Sequence, residues 1–244
     1  VADRIAQRRV ARDREAAQSS ALHWRRMTPD TTARPKLEVF AMERLQSTWE
    51  NRVEWNVSES GVHPLRVEEL VADADSFAAL MSQALGYPQT NGTVELRSAI
   101  AAMYPGATPD HVEVTNGGSE ANLIALMHLV EPGDEVVMMT PNYMQVAGLS
   151  RWLGATVKAW PLVLASGPGP GAHRWQADIE SLSALVGTRT KAILICNPNN
   201  PTGARLTSAE LDDISRIAAR AGAWILSDEI YRGAELDGIE TATV

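Results

Sequence analysis

Three short segments hold the residue types that could do chemistry together: "GGSEAN" at 117–122, "NPNNPTG" at 197–203 and "SDEIY" at 227–231. The first places Gly117, Gly118 and Ser119 where a helix should begin. Unpaired backbone N–H groups at a helix start, with roughly half a positive charge from the aligned peptide dipoles, favour an anion such as a phosphate. Glycine lets that anion approach closely, and Ser119 can cap the helix and donate its hydroxyl; an ordinary capped turn has the same composition. In the second segment Pro198 and Pro201 fix φ and remove donors. The loop is thereby held in one shape, while Asn197, Asn199 and Asn200 leave amides to aim at a ligand. The third segment closes an apolar run. Alternation sets Asp228 and Ile230 on one face and Glu229 on the other. A carboxylate ending a buried strand is costly unless it meets a cation; the plainer alternative is an aspartate capping the next turn. Tyr231 offers a hydroxyl beside it.

These segments need a frame, and the pattern around them supplies one. Short aliphatic runs at 111–116, 134–140, 155–160, 191–197 and 223–229 read as strands. Apolar periodic stretches at 119–130, 143–153, 178–186 and 207–221 read as helices between them. Thr207 and Glu210 stand at capping-box spacing, and "EPGD" at 131–134 is a stop signal. Strand and helix alternate with a period of about 20 to 35 residues, as βαβ crossovers do. The expected fold class is therefore α/β, with a mostly parallel sheet between two helical layers. Ligands in such sheets sit at the carboxyl ends of the strands, and each of the three segments lies at or just after a strand end. Upstream, Leu37, Phe40, Ala41, Leu45 and Trp49 fall at helical spacing within 36–51, predicting an amphipathic helix. A second helix is expected over 66–85. Residues 1–35 read as a polar arm or linker, and 165–176 as a Gly/Pro-rich excursion without assignable chemistry.

Composition narrows the partners. With 244 residues, 45% of them hydrophobic, the chain can bury one large domain, or one domain and part of a second. A net charge of −8 gives no electrostatic footprint for nucleic acid or an anionic membrane, leaving a small molecule as the expected partner. The single cysteine, Cys196, excludes an internal disulfide and fits a reducing compartment, so the cytoplasm is the expected address. No apolar run reaches the roughly 18 residues of a membrane span. The opening twenty residues lack the apolar stretch of a secretory signal, and Asp3, Asp13 and Glu15 argue against a transit peptide. The five histidines show no metal-ligand spacing.

In order, spacing and strand-end placement the three segments resemble the class I/II aminotransferases that use pyridoxal 5′-phosphate (PLP), over about residues 80–235. The resemblance implies that the amides of Gly118 and Ser119 hold the cofactor phosphate and that Tyr143 of "TPNY" stacks on its ring. It implies that Asn200 and Tyr231 reach the ring O3′ and that Asp228 pairs with the pyridine nitrogen, a protonated N–H being the cation such a carboxylate needs. Asp228 and Tyr231 are then the candidate catalytic residues. Tyr87, in "GYPQTNG", matches the family tyrosine that reaches the phosphate of the neighbouring subunit, which implies a homodimer. Gly61, in "NVSESGVHPL", stands where the family has a substrate-contacting glycine, although this stretch departs from the usual "GxP" pattern.

The implied reaction moves an amino group between an amino acid and a 2-oxo acid. The protonated ring is the electron sink, and a lysine first carries the cofactor as a Schiff base and then shuttles the proton. Here the sequence departs from the family. Its lysines are Lys36, Lys158 and Lys191, and none follows Tyr231, where the family places its catalytic lysine. The family's carboxylate-binding arginine, from a C-terminal small domain, is missing as well. The expectation is an N-terminal part of such an enzyme: an arm at 1–35, a helix and substrate-side segment at 36–65, and an incomplete PLP-binding large domain at 66–244, inactive by itself. Lyases, decarboxylases and oxidases of the same fold share these cofactor contacts. A lysine-free relative acting as a binding protein is the alternative from another class.

Overall fold

Four aliphatic runs pair side by side into one parallel sheet in the computed structural model, which describes residues 36–62, 64–71, 73–166 and 173–244. The chain divides into units of residues 1–36 and 37–244, and the sheet and its helices belong to the second. The arm expected at 1–35 lies outside the described residues. In chain order the strands are β1 (Glu135–Thr140), β2 (Thr156–Pro161), β3 (Val163–Ser166), β4 (His173–Gln176), β5 (Thr190–Cys196) and β6 (Trp224–Asp228). The sheet runs β2-β1-β5-β6. Its register sets Val137 beside Lys158 on β2 and Ile193 on β5, and Leu194 beside Leu226 on β6.

The helices are α1 (Ala41–Trp49), α2 (Val67–Leu70), α3 (Ala74–Met81), α4 (Val94–Ala101), α5 (Gly118–Leu129), α6 (Gln145–Trp152), α7 (Ile179–Leu185) and α8 (Ser208–Ala221). Alternation along the central strands feeds two cores. Val137, Met139, Ile193 and Ile195 meet Leu182 of α7 and Leu211, Ile214 and Ile217 of α8 on one face. Val136, Met138 and Leu194 meet Leu126 of α5 and Val146 and Leu149 of α6 on the other. A strand buried on both faces has no polar side to show, which is why these runs are almost continuously aliphatic. The expected three-layer α/β architecture is what forms. α8 is bounded as its sequence predicts: Thr207 accepts from the Glu210 N–H, Glu210 reaches back to the Thr207 N–H, and Gly222 ends it at φ 66°.

Several expectations need correction. Residues 111–116 form no strand: a single 3-10 turn covers Pro109–His111, closed by Val112 N–H on Pro109 O, and the extended stretch after it reaches another segment through Val114 N–H to Asn91 O. A strand exists only with a ladder partner, and none of the described strands runs beside it. The helix expected over 66–85 breaks into α2 and α3, because Asp73 caps a fresh start by accepting from Ser76. The Gly/Pro-rich excursion expected over 165–176 is in part strand: its last residues form β4, which pairs antiparallel with β3. α4, outside the helices expected from periodicity, is capped by Thr93, which accepts from Leu96 N–H.

At the amino ends of the strands Glu135 ties the sheet together. Its carboxylate lies 2.6 Å from Lys158 Nζ on β2 and 2.6 Å from Arg189 just before β5. The hydrogen bond from Lys158, then the charges of Lys158 and Arg189, outweigh desolvation and hold its pKa below the ordinary value.

Candidate functional site

The order β2-β1-β5-β6 contains a reversal of direction: from β1 the chain moves outward to β2, then returns past β1 to β5 and β6. A crevice opens outside the carboxyl ends of the strands where such a reversal occurs. Around that end of β1 and β5 lie the "TPNY" loop, the "NPNNPTG" loop, the end of β6 and the start of α5. Between them is a cavity of about 320 Å³ lined by Gly118, Ser119, Tyr143, Asn200, Asp228 and Tyr231. Asn122 and Cys196 complete the wall on the sheet side, and Glu43, Gln46, Glu50, Glu59 and Ser60 come from the N-terminal segment. A larger open groove of about 580 Å³ runs between the β3–β4 pair, the head of α8 and residues 239–242, and holds none of the candidate residues.

The anion end of the cavity is the head of α5. Its N-cap is Gly117, at φ 84°, with no side-chain cap, so Ser119 does not cap this helix as the sequence allowed; it stands in the first turn. Glycine at 117 is explained by its left-handed backbone. Gly118 has no such reason, since a Cβ there would meet nothing within 4 Å. Open space at a helix start with its first N–H groups outside the helical ladder is the geometry an anion uses.

The three asparagines do different things. Asn197 is fully buried; its amide donates to Ala242 O at 2.9 Å and its carbonyl accepts from Leu206 N–H at 2.9 Å. Asn199, also buried, donates to Pro141 O and accepts from the Thr202 hydroxyl. Both are consumed in shaping the loop, contrary to the expectation that all three offer amides outward. Asn200 faces the cavity, where its Nδ2 donates to Tyr231 Oη at 3.2 Å. The Tyr231 hydroxyl in turn donates to Ser60 Oγ at 2.9 Å.

Asp228 ends β6, its backbone carbonyl accepting from Asn197 N–H and its carboxylate from Ile230 N–H. Glu229 is absent from the cavity lining and accepts from Ser227 and Thr243 hydroxyls instead. Tyr143 is half-buried; its hydroxyl donates to Glu43 Oε1 at 2.8 Å, and its ring meets Phe40 edge-on with centroids 4.9 Å apart. Burial first, then the bond to Glu43, pushes its phenol pKa up. Burial likewise raises the Cys196 thiol to about 11, so it is a neutral packing group at physiological pH and no nucleophile.

Two candidates lie off the cavity. Tyr87 is wholly exposed, and Gly61 stands one residue beyond the lining Ser60, its N–H on Glu59 Oε1. No lysine lines it: Lys158 is engaged with Glu135 at the opposite end of the sheet, and Lys191 begins β5 there too. The apolar spacing of α1 does not reveal Glu43 and Gln46, because of its apolar residues Phe40 meets Tyr143 while Leu45, 57% exposed, and Trp49, 51% exposed, point outward. Among the described residues no acidic, histidine or cysteine group could hold a metal ion, and no helix is long and apolar enough to cross a membrane.

The cavity's donor set fits a flat cationic ring bearing a phosphate: helix N–H groups for the phosphate, a carboxylate for the ring cation, an aromatic face and two groups for a ring oxygen. Its volume is at the lower end of the roughly 300–1,000 Å³ common for small-molecule sites.

Comparison with known proteins gives a consistent set of relatives. The sequence profile described as aminotransferase class I and II matches residues 56–242. The chain is 36% identical over 168 residues to a probable N-succinyldiaminopimelate aminotransferase of Mycobacterium tuberculosis, covering 66% of this chain and 40% of that protein. It is 32% identical over 169 residues to an aspartate aminotransferase of Thermotoga maritima, covering 67% and 42%. Among solved structures, a PLP-dependent aminotransferase from Streptococcus suis superposes with a TM-score of 0.71 at 33% identity, over 80% of this chain and 52% of that one. The chain thus spans about two fifths of the length of the curated relatives it matches.

Proposed function

The chain belongs to the class I and II aminotransferase family, and on that premise we propose that the protein binds PLP in the cavity at the head of α5 and moves an amino group between an amino acid and a 2-oxo acid. One observation carries the reading: a single cavity joins the open amino end of a 12-residue helix to a strand-end carboxylate, the two poles that a phosphorylated, protonated pyridine requires. When bound, that cofactor supplies an electron sink for the charge left on a substrate carbon after proton loss.

This chain's residues make the sink and hold it still. The Gly118 and Ser119 N–H groups take the phosphate oxygens. Asp228 keeps a proton on the ring nitrogen, since a carboxylate beside it favours the charged form. Asn200, through its second amide hydrogen, and Tyr231, on turning its hydroxyl from Ser60, would donate to the ring oxygen, and Tyr143 would cover one ring face. The proton-moving amine has to reach the cavity from elsewhere than Lys36, Lys158 or Lys191. The domain reading follows: 36–65 closes the substrate side and 66–244 holds the cofactor. A second copy of the chain is part of the proposal, supported by the full exposure of Tyr87, and the cytoplasm is its proposed address.

Titrating the purified protein with PLP, followed by cofactor absorbance, tests the reading. One saturable site per chain is expected, with amino transfer restored or raised by methylamine added as a substitute base. Absence of saturable binding would remove the proposal.

A further inference from the structure

Tyr143 is held from both ends. Its backbone N–H donates to Asn142 Oδ1 at 2.7 Å, and Asn142 is itself bonded to Met139 O at the end of β1. At the far end its hydroxyl meets Glu43 Oε1, one hundred residues earlier in the chain, while Phe40 packs edge-on against its ring. Phe40 and Glu43 stand three residues apart at the start of α1, on one side of the helix. α1 turns this side inward although it is the more polar one. Glu43 and Gln46 are half-buried while Leu45 and Trp49 face outward, so polar contacts, together with Phe40 against the Tyr143 ring, seat the helix here. Glu43 makes no ion pair with a lysine or arginine among the described residues.

Resting on the cofactor reading above, we propose that Glu43 is a positioning residue for Tyr143: it fixes the ring over the cavity and, by accepting the hydrogen bond that the phenol donates, enriches the ring face that a cationic aromatic ligand meets. A phenol donating to a carboxylate shifts electron density towards the phenolate, and an electron-richer face attracts a cationic ring more strongly. The raised phenol pKa accords with this arrangement: burial, then the hydrogen bond to Glu43, then the charges of Glu43 and Asp228 raise it, and only the hydroxyl of Ser119 acts the other way. Phe40 supplies the lateral stop that keeps the hydroxyl on Glu43. The N-terminal segment thereby sets how tightly the cavity holds a cationic ring.

The experiment compares binding of PLP with binding of its 1-deaza analogue, whose ring has no nitrogen to protonate, by the intact protein and by Glu43→Gln, Tyr143→Phe and the double variant. Glutamine preserves an acceptor for the hydroxyl but removes the charge. Expected is a loss of about three- to tenfold in PLP affinity for either single variant, with the analogue changed by less than twofold. The double variant should bind no more weakly than the worse single one, as expected for two groups acting through one contact. Phe40→Leu, which leaves both polar partners in place, should give a smaller loss of the same kind. Far-ultraviolet circular dichroism confirms that each variant folds. Unchanged PLP affinity in Glu43→Gln, additive losses in the double variant, or equal losses for PLP and the analogue would each overturn the inference while leaving the cofactor reading intact. Failure of the unaltered protein to bind PLP would overturn both.

Discussion

Asn197, Asn199 and Asn200 share a side chain and a loop, yet only the last is open to a ligand. Replacing Asn197 with alanine leaves Leu206 N–H and Ala242 O without their partners in a fully buried place. The expected cost is about 1–3 kcal/mol of stability, read as a lower urea midpoint. Asn200→Ala should leave that midpoint within error and weaken PLP binding; equal effects on stability would mean that the loop's asparagines are not divided in this way. Asp228→Ala is expected to keep the fold and to reduce amino transfer by orders of magnitude, measured in whatever form of the protein turns over, and a rate near that of the unaltered protein would remove Asp228 from its proposed role. The sequence announced that this loop matters, because so many Asn and Pro residues are unnecessary in a connector. It could not announce which amide turns inward, since that depends on residues 204–206 and 242 folding back over the loop.

At the level of elements, the strands that became the sheet were legible and the one that did not was legible only by mistake. β1 and β5 are covered on both faces, and double burial writes itself as unbroken aliphatic sequence. Residues 111–116 have equal β propensity, but a strand is a property of two chains side by side, and propensity reports one. α1 misled for a related reason: its apolar spacing describes a helix correctly and says nothing of which side meets the protein. The sheet's two ends also divide their work, ligand groups at the carboxyl ends and the Glu135 ion cluster at the amino ends. Because the folded pKa of Glu135 is depressed, the cluster's stabilisation is present above the ordinary value of 4.5 and is lost as pH falls through the lowered folded value. Glu135→Gln should therefore unfold at lower urea than the parent at pH 7, and the two should converge in acid. A difference that persists unchanged at pH 2 would show that packing, not charge, is what glutamine disturbs.

Across the whole molecule the cores stop short of the N-terminal helices. Neither α1, α2 nor α3 contributes a single buried residue, and Phe77, Leu80 and Met81 of α3 stand about half exposed or more beside the fully exposed Leu85 and Tyr87. Helices this short are marginal in water without tertiary burial, and apolar surface of this extent is characteristic of an interface. The second copy invoked for the proposed enzyme would cover it and would bring Tyr87 to a neighbouring cavity. Sedimentation velocity over a hundredfold range of concentration should then show a monomer–dimer equilibrium, with the helical circular dichroism signal rising as dimer forms. Phe77→Glu together with Met81→Glu places two charges in the buried patch, whose desolvation the partner cannot offset, so the variant should remain monomeric while retaining the sheet core. A constant monomer mass at every concentration, with the amides of α1 and α3 nonetheless protected from hydrogen exchange, would mean that something other than a second copy covers this face.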